Sequence, residues 1–125
     1  MLKKVLIVED EKAILSALSA GFDRKEIEVL TALDGDEGLK IALREHPHLI
    51  LLDLVMPKMD GITMLEKLRK DKWGKDVKVI ILTNLDDQKK VAEAVQHGVF
   101  DYFIKINWNI KDIIKKVQAE LKYID

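Results

Sequence analysis

The sequence predicts an α/β fold in which five parallel strands form one sheet with helices packed on both faces. Two observations carry that expectation. Short apolar runs without alternation, such as Leu49-Ile50-Leu51-Leu52 and Val79-Ile80-Ile81-Leu82, suit strands covered on both sides. Between such runs lie segments whose apolar residues recur at spacings of three and four, the signature of a helix with one buried stripe. Alternating strands and helices joined by short connections imply right-handed crossovers, so the carboxyl ends of all the strands emerge on one rim. In open parallel sheets, ligands and chemistry gather at that rim.

The first strand covers residues 3–8, with β-branched Val5, Ile7 and Val8, and runs into Glu9-Asp10-Glu11. A helix follows from about Glu11, carrying Ile14, Leu15 and Leu18 on one face until Gly21 stops it. Residues 26–33 hold the second strand. Asp34 then precedes a helix with Leu39, Ala42 and Leu43 on one stripe, ended near His46-Pro47 because a residue before proline avoids the helical region. The third strand runs to Asp53. Beyond it Pro57 fixes a turn, and Asp60 ahead of Gly61 caps a third helix marked by Ile62, Leu65 and Leu68. A polar connection over residues 71–76 leads into the fourth strand, residues 77–82, which ends in Thr83. Asp86 or Asp87 is expected to cap a fourth helix that turns Val91, Ala92 and Val95 inward and stops at Gly98. Residues 99–104 form an aromatic-rich fifth strand ending in Lys105, and the last helix sets Ile110, Ile113, Ile114, Val117 and Leu121 in a stripe with lysines opposite.

At 125 residues the chain has room for one domain with a proper core, so any output is expected from that domain's own surface. A net charge of -1, with 34% charged residues of both signs, argues against a nucleic-acid-binding surface. The lack of cysteine removes a disulfide framework, a thiolate metal site and a Cys nucleophile. The opening apolar run reaches Glu9 too soon for a signal-peptide core, and no run is long enough to span a membrane, so a soluble cytoplasmic protein is expected. His46, His48 and His97 show no metal-ligand spacing and read as surface or loop residues, while Trp73 and Trp108 read as packing anchors.

Along the rim the strand-end residues are Glu9-Asp10, Asp53, Thr83 and Lys105. Three carboxylates, a hydroxyl and an ammonium are the parts needed to bind a divalent cation, accept a phosphoryl group and neutralise it. Two unit charges about 4 Å apart repel by about 4 kcal/mol at an effective dielectric near 20. The acidic cluster therefore needs a counter-charge. Lys105 supplies one, and hard carboxylate oxygens with room for waters are also what Mg²⁺ prefers. Each residue alone has a plainer explanation: Glu9 and Asp10 as helix caps, Thr83 as a β-branched strand residue, Lys105 as a solvated strand end.

Four stretches match a known family in order: Val5-Leu6-Ile7-Val8-Glu9-Asp10, then Asp53-Leu54-Val55-Met56-Pro57-Lys58-Met59-Asp60-Gly61, then Thr83, then Asp101-Tyr102-Phe103-Ile104-Lys105. On these residues the sequence resembles a bacterial two-component response-regulator receiver domain over essentially its whole length, residues 1–125. The resemblance implies a doubly wound, flavodoxin-like sheet of strand order 2-1-3-4-5. It also implies that Asp53 takes a phosphoryl group from a sensor histidine kinase or phosphotransfer protein. Asp10, Asp53 and the backbone carbonyl of Val55 would hold Mg²⁺, with Glu9 acting mainly through a metal-bound water. Thr83 would hydrogen-bond one phosphoryl oxygen and Lys105 would pair with another. Such a domain promotes its own phosphorylation and dephosphorylation, by positioning and charge neutralisation, without being a conventional enzyme.

By the same resemblance Tyr102 is the switch aromatic that turns inward when Thr83 moves toward the phosphoryl group. The responding face is then the fourth helix, fifth strand and fifth helix, available to a downstream protein target or a second copy. The sequence departs from the family pattern at Glu9, where Asp is commoner, at Ile106, where proline usually follows the lysine, and at Asn84, where a smaller residue is usual. Val55 and Leu85 occupy the positions that tune acyl-phosphate hydrolysis. Being apolar, they orient no attacking water, and a long-lived phosphorylated state is expected. Two other functions compete. A flavodoxin-like carrier needs a glycine-rich phosphate loop after the first strand, where this chain has Glu9-Asp10-Glu11. A receiver-like interaction module that is never phosphorylated would have no need of Asp10, Asp53, Thr83 and Lys105 together.

Overall fold

A computed structural model describes residues 2–84, 88–104 and 109–124 of the chain. Strands and helices alternate: β1 (Lys3–Val8), α1 (Lys12–Ala20), β2 (Ile27–Ala32), α2 (Gly35–Glu45), β3 (Leu49–Asp53), α3 (Gly61–Arg69), β4 (Lys78–Thr83), α4 (Gln88–Gln96), β5 (Asp101–Ile104) and α5 (Ile110–Lys122). The strands pair in parallel in the order β2-β1-β3-β4-β5, as the sequence predicts. Because successive side chains leave a strand on opposite faces, the apolar runs feed two cores. Leu6, Val8, Ile50, Leu52, Val79 and Ile81 pack with α2, α3 and α4. Val5, Ile7, Leu49, Leu51, Ile80 and Leu82 pack with α1 and α5, whose stripe of Ile113, Ile114, Val117 and Leu121 is buried. Among the described residues, no helix is long and apolar enough to cross a membrane.

Local signals set several of the boundaries. The Asp34 carboxylate accepts the Glu37 amide at 2.8 Å and starts α2, and Asp60 does the same for Thr63 at 2.9 Å at the head of α3. His46 ends α2 in the left-handed conformation, φ 48°, and its ring stacks on Trp73 at 4.4 Å, which places that tryptophan as a loop anchor. His48 lies at the foot of β3, where its Nδ1 accepts the Lys4 amide at 2.9 Å, and His97 Nε2 stands 3.5 Å from Glu66. At the foot of the sheet, away from the strand ends, the Arg69 guanidinium joins two connections. It donates to the carbonyls of Gly74 and Val77 after α3, at 2.7 and 2.9 Å, and to those of His97, at 2.9 Å, and Gly98 after α4.

Three helical and strand details differ from the expectation. In α2 the buried residues are Gly35, Gly38 and Ala42; of the expected stripe Ala42 and Leu39 pack against the core and Leu43 is 38% exposed. The helix lies so close to β1 that a Cβ on Gly38 would come within 2.9 Å of both Val8 methyls, so small residues make the contact and the leucines flank it. In α4 the buried residue is Ala94; Ala92 and Val95 are exposed. The fifth strand begins at Asp101 rather than Val99, because Gly98 takes a positive φ of 82° and half-exposed Phe100 sits in a bend, its ring under the Lys78 ammonium. The proposed caps Asp86 and Asp87, with Leu85, Lys105, Ile106 and Trp108, lie outside the described residues.

Candidate functional site

The strand ends bring the acidic residues together. Glu9 continues the line of β1, its amide bonded to the Ala32 carbonyl at 3.0 Å, and is fully buried; Asp10 follows it partly exposed. Asp53 closes β3, paired in register with Leu82 of β4, and is 3% exposed. One carboxylate oxygen from each of Glu9, Asp10 and Asp53 falls within 4.8 Å of the others, and among the described residues this is the one such group. The N-cap position of helix α1 is Glu11, which makes no side-chain cap bond.

This donor set fits a hard divalent cation. All the ligand atoms are carboxylate oxygens within 4.8 Å of one another, the hard donors that Mg²⁺ takes. Sulfur and imidazole, which would favour softer metals, are absent from the group.

The connection after β3 forms one wall of the site. The Val55 amide points back to Asp53 Oδ1 at 3.4 Å, a long contact, and the Val55 side chain is 41% exposed. Gly61 must lack a side chain, since its Cβ would lie 2.3 Å from the Asp53 carbonyl oxygen. Lys58 holds a left-handed turn, φ 65°, with its ammonium 3.6 Å from Asp34. Sequence reasoning found Asp60 and Gly61 in this loop but missed Gly35, whose amide donates to the Met59 carbonyl at 3.1 Å. The signal was present as Asp34-Gly35 at a helix start, where glycine reads as a simple turn residue.

On the adjacent strand Thr83 stands one residue past Leu82, the register partner of Asp53. It is buried, and its hydroxyl donates to the Asn84 carbonyl at 3.3 Å. Thr83 and exposed Asn84 border a cavity of about 440 Å³ with Val91, Ala92 and Val95 of α4 and with Tyr102, which is 45% exposed. Of the α4 stripe expected to face the core, Val91 packs there as well, while Ala92 and Val95 turn to this cavity. Next to it, the ion pair of Lys116 with Asp101 at 3.5 Å ties α5 to β5, while Lys116 also pairs with Glu120 one turn along α5 at 3.4 Å. Glu9, Asp10 and Asp53 are thus gathered, Thr83 and Tyr102 share a neighbouring cavity, and Lys105 is outside the described residues.

Comparison with known proteins agrees with this arrangement. A family model described as the response regulator receiver domain matches residues 5–118. The chain is 35% identical over 123 residues to a probable transcriptional regulator ycf27 of Porphyridium aerugineum, covering 98% of this chain and 50% of that one. It is likewise 35% identical over 122 residues to the alkaline phosphatase synthesis transcriptional regulatory protein PhoP of Bacillus subtilis, covering 93% of this chain and 50% of that protein. It spans about half the length of these relatives. The crystal structure of a CheY-like response regulator receiver domain protein from Methanospirillum hungatei superposes with a TM-score of 0.86 at 30% identity, covering 98% of this chain and 95% of the other.

Proposed function

This chain belongs to the response-regulator receiver-domain family, and from that premise we propose that it is the phosphoacceptor of a two-component pathway, with Asp53 as the residue phosphorylated. The observation that carries the reading is the meeting of Glu9, Asp10 and Asp53 at the ends of β1 and β3. An Asp53 carboxylate oxygen attacks the phosphorus of a kinase or phosphotransfer-protein phosphohistidine. The P–N bond breaks as the P–O bond forms, and the departing imidazole takes up a proton. Asp10, Asp53 and the Val55 carbonyl would hold Mg²⁺, with Glu9 acting on it through water. When bound, the cation supplies charge neutralisation for the phosphoryl oxygens. Thr83 gives up its bond to Asn84 and donates to one phosphoryl oxygen, and Lys105 pairs with another.

The phosphoryl group on Asp53, with a charge near -1.5 to -2 where the carboxylate carried -1, changes the surface only if two arrangements differ in their contacts with it. The cavity beside Thr83 provides the second arrangement: Tyr102 now stands half in solvent, with space next to Val91 and Val95. The face formed by α4, β5 and α5 then meets a downstream protein or a second copy, in the cytoplasm. The low net charge favours a protein partner over direct contact with nucleic acid.

Incubation with Mg²⁺ and acetyl phosphate, followed by intact mass, tests the proposal. One added phosphoryl group is expected, absent in Asp53→Asn. No adduct on the wild-type chain would favour a receiver-like interaction module instead, and an adduct that survives Asp53→Asn would place the chemistry elsewhere.

A further inference from the structure

We propose that Gly35 is a positioning residue for the acidic site: through α2 it sets the loop that carries the Val55 carbonyl against the carboxylates of β1. The inference rests on the reading of that carbonyl and of Asp10 and Asp53 as the Mg²⁺ ligands. Those ligands come from two separate pieces of chain, Asp10 beyond β1 and Asp53 and Val55 around the end of β3. Helix α2 touches both pieces. At Gly38 it lies against Val8, the residue before Glu9, with no space for a Cβ on either methyl. At Gly35 it meets the loop after β3, where the Gly35 amide donates to the Met59 carbonyl at 3.1 Å.

The rest of that loop is already fixed at its ends. The Leu54 amide donates to the Leu82 carbonyl at 3.3 Å, and the Gly61 amide returns to the Leu54 carbonyl at 2.9 Å. Between these points the Gly35 bond to Met59 is the backbone contact to another element, next to Lys58 in its left-handed turn. The junction that holds it is itself anchored, since Asp34 accepts the Glu37 amide and faces the Lys58 ammonium. A Cβ on Gly35 would lie 2.2 Å from the Met59 oxygen and 2.9 Å from its carbonyl carbon. The obstructing atoms are backbone, so the loop must move rather than a side chain. Mutating groups that hydrogen-bond metal ligands costs about 10–100-fold in metal affinity, and Gly35 acts one step further out, through the backbone between Met59 and Val55.

Isothermal titration of the full chain with MgCl₂ tests this. Gly35→Ala is expected to bind Mg²⁺ about ten-fold more weakly than wild type, at the lower end of that range. Gly74→Ala is the control for a merely structural loss. A Cβ there would sit 2.3 Å from the Leu68 carbonyl oxygen, away from the acidic site, so it should lower the melting temperature and leave Mg²⁺ affinity unchanged. The second measurement uses the wild-type chain: the Gly35 amide resonance should be protected from exchange and should move with Mg²⁺ along the same curve as Val55. A wild-type chain that binds no Mg²⁺ overturns the functional reading and this inference with it. A wild type that binds while folded Gly35→Ala binds equally tightly overturns the positioning role alone. If Gly35→Ala does not fold, a Gly35 resonance unmoved at saturating Mg²⁺ overturns it, and one that follows Val55 supports it.

Discussion

Replacing Asp53 by Asn should stabilise the metal-free protein while removing its response to Mg²⁺. The substitution keeps shape and leaves an oxygen to face the Val55 amide, so the change is chiefly one of charge. Asp53 shares a 4.8 Å neighbourhood with Glu9 and with Asp10. At that separation each like-charge pair costs about 3.5 kcal/mol at an effective dielectric near 20. The counter-charge expected from Lys105, solvent around partly exposed Asp10 and relaxation of the side chains reduce the total several-fold, leaving about 1–2 kcal/mol of relief. For a chain of this size that is a rise of about 4–8 °C in melting temperature. Melting in EDTA and again across a Mg²⁺ series is the assay. Wild type should gain about 1.4 kcal/mol when free Mg²⁺ reaches ten times its Kd, by mass action, so the two curves converge as metal is added. An Asp53→Asn protein that melts below wild type in EDTA, or that rises with Mg²⁺ as steeply, would refute the reasoning.

Three further outcomes can be read with simple assays. Arg69→Leu should cost about 2–4 kcal/mol in urea unfolding, because carbonyls of Gly74, Val77, His97 and Gly98 lose a charged donor, and Arg69→Lys should not restore it, since one ammonium does not span both connections. Burial, then the charges of Lys3 and Lys4, hold the His48 imidazole below its ordinary 6.5, so its contribution is complete above about pH 6.5 and is lost as pH falls through the folded value. His48→Asn, which keeps an acceptor for the Lys4 amide, should flatten the melting temperature between about pH 7.5 and about pH 5.5; an unchanged slope would assign that loss to other groups. Finally, Val55 stands exposed beside Asp53 with no polar atom to orient water, so the phosphorylated chain should persist for minutes or longer by intact mass, and decay within seconds would contradict this.

Much of the fold was legible because burial on both faces leaves so plain a mark on a strand. The runs at Val5–Val8 and Leu49–Leu52 have a single physical use, and the structure buries every one of those side chains. Helices with one apolar stripe and a large-residue contact, such as α5, were equally clear. Helix α2 misled because its contact is made by glycine and alanine, which no hydrophobic periodicity records; only the distance from Gly38 to Val8 reveals it. Helix α4 misled for a different reason. It carries apolar residues on two sides, Val91 and Ala94 against the sheet and Ala92 and Val95 toward the cavity, and sequence spacing alone does not rank them. The acidic group was found from order along the chain, because parallel topology puts strand ends side by side. The Gly35 contact with Met59 joins residues far apart in sequence through backbone atoms, which leave no trace in side-chain identity.

The fastening made by Arg69 has a mechanical meaning for the helix above it. Its flat guanidinium grips the carbonyls at which α4 gives way to β5, along with the carbonyls leading into β4. One end of α4 is thereby riveted to the frame, while residues from Gln88 to Val95 border the hollow beside Thr83. With that end held, any shift of α4 that keeps these hydrogen bonds must be greater at Gln88 than at Gln96.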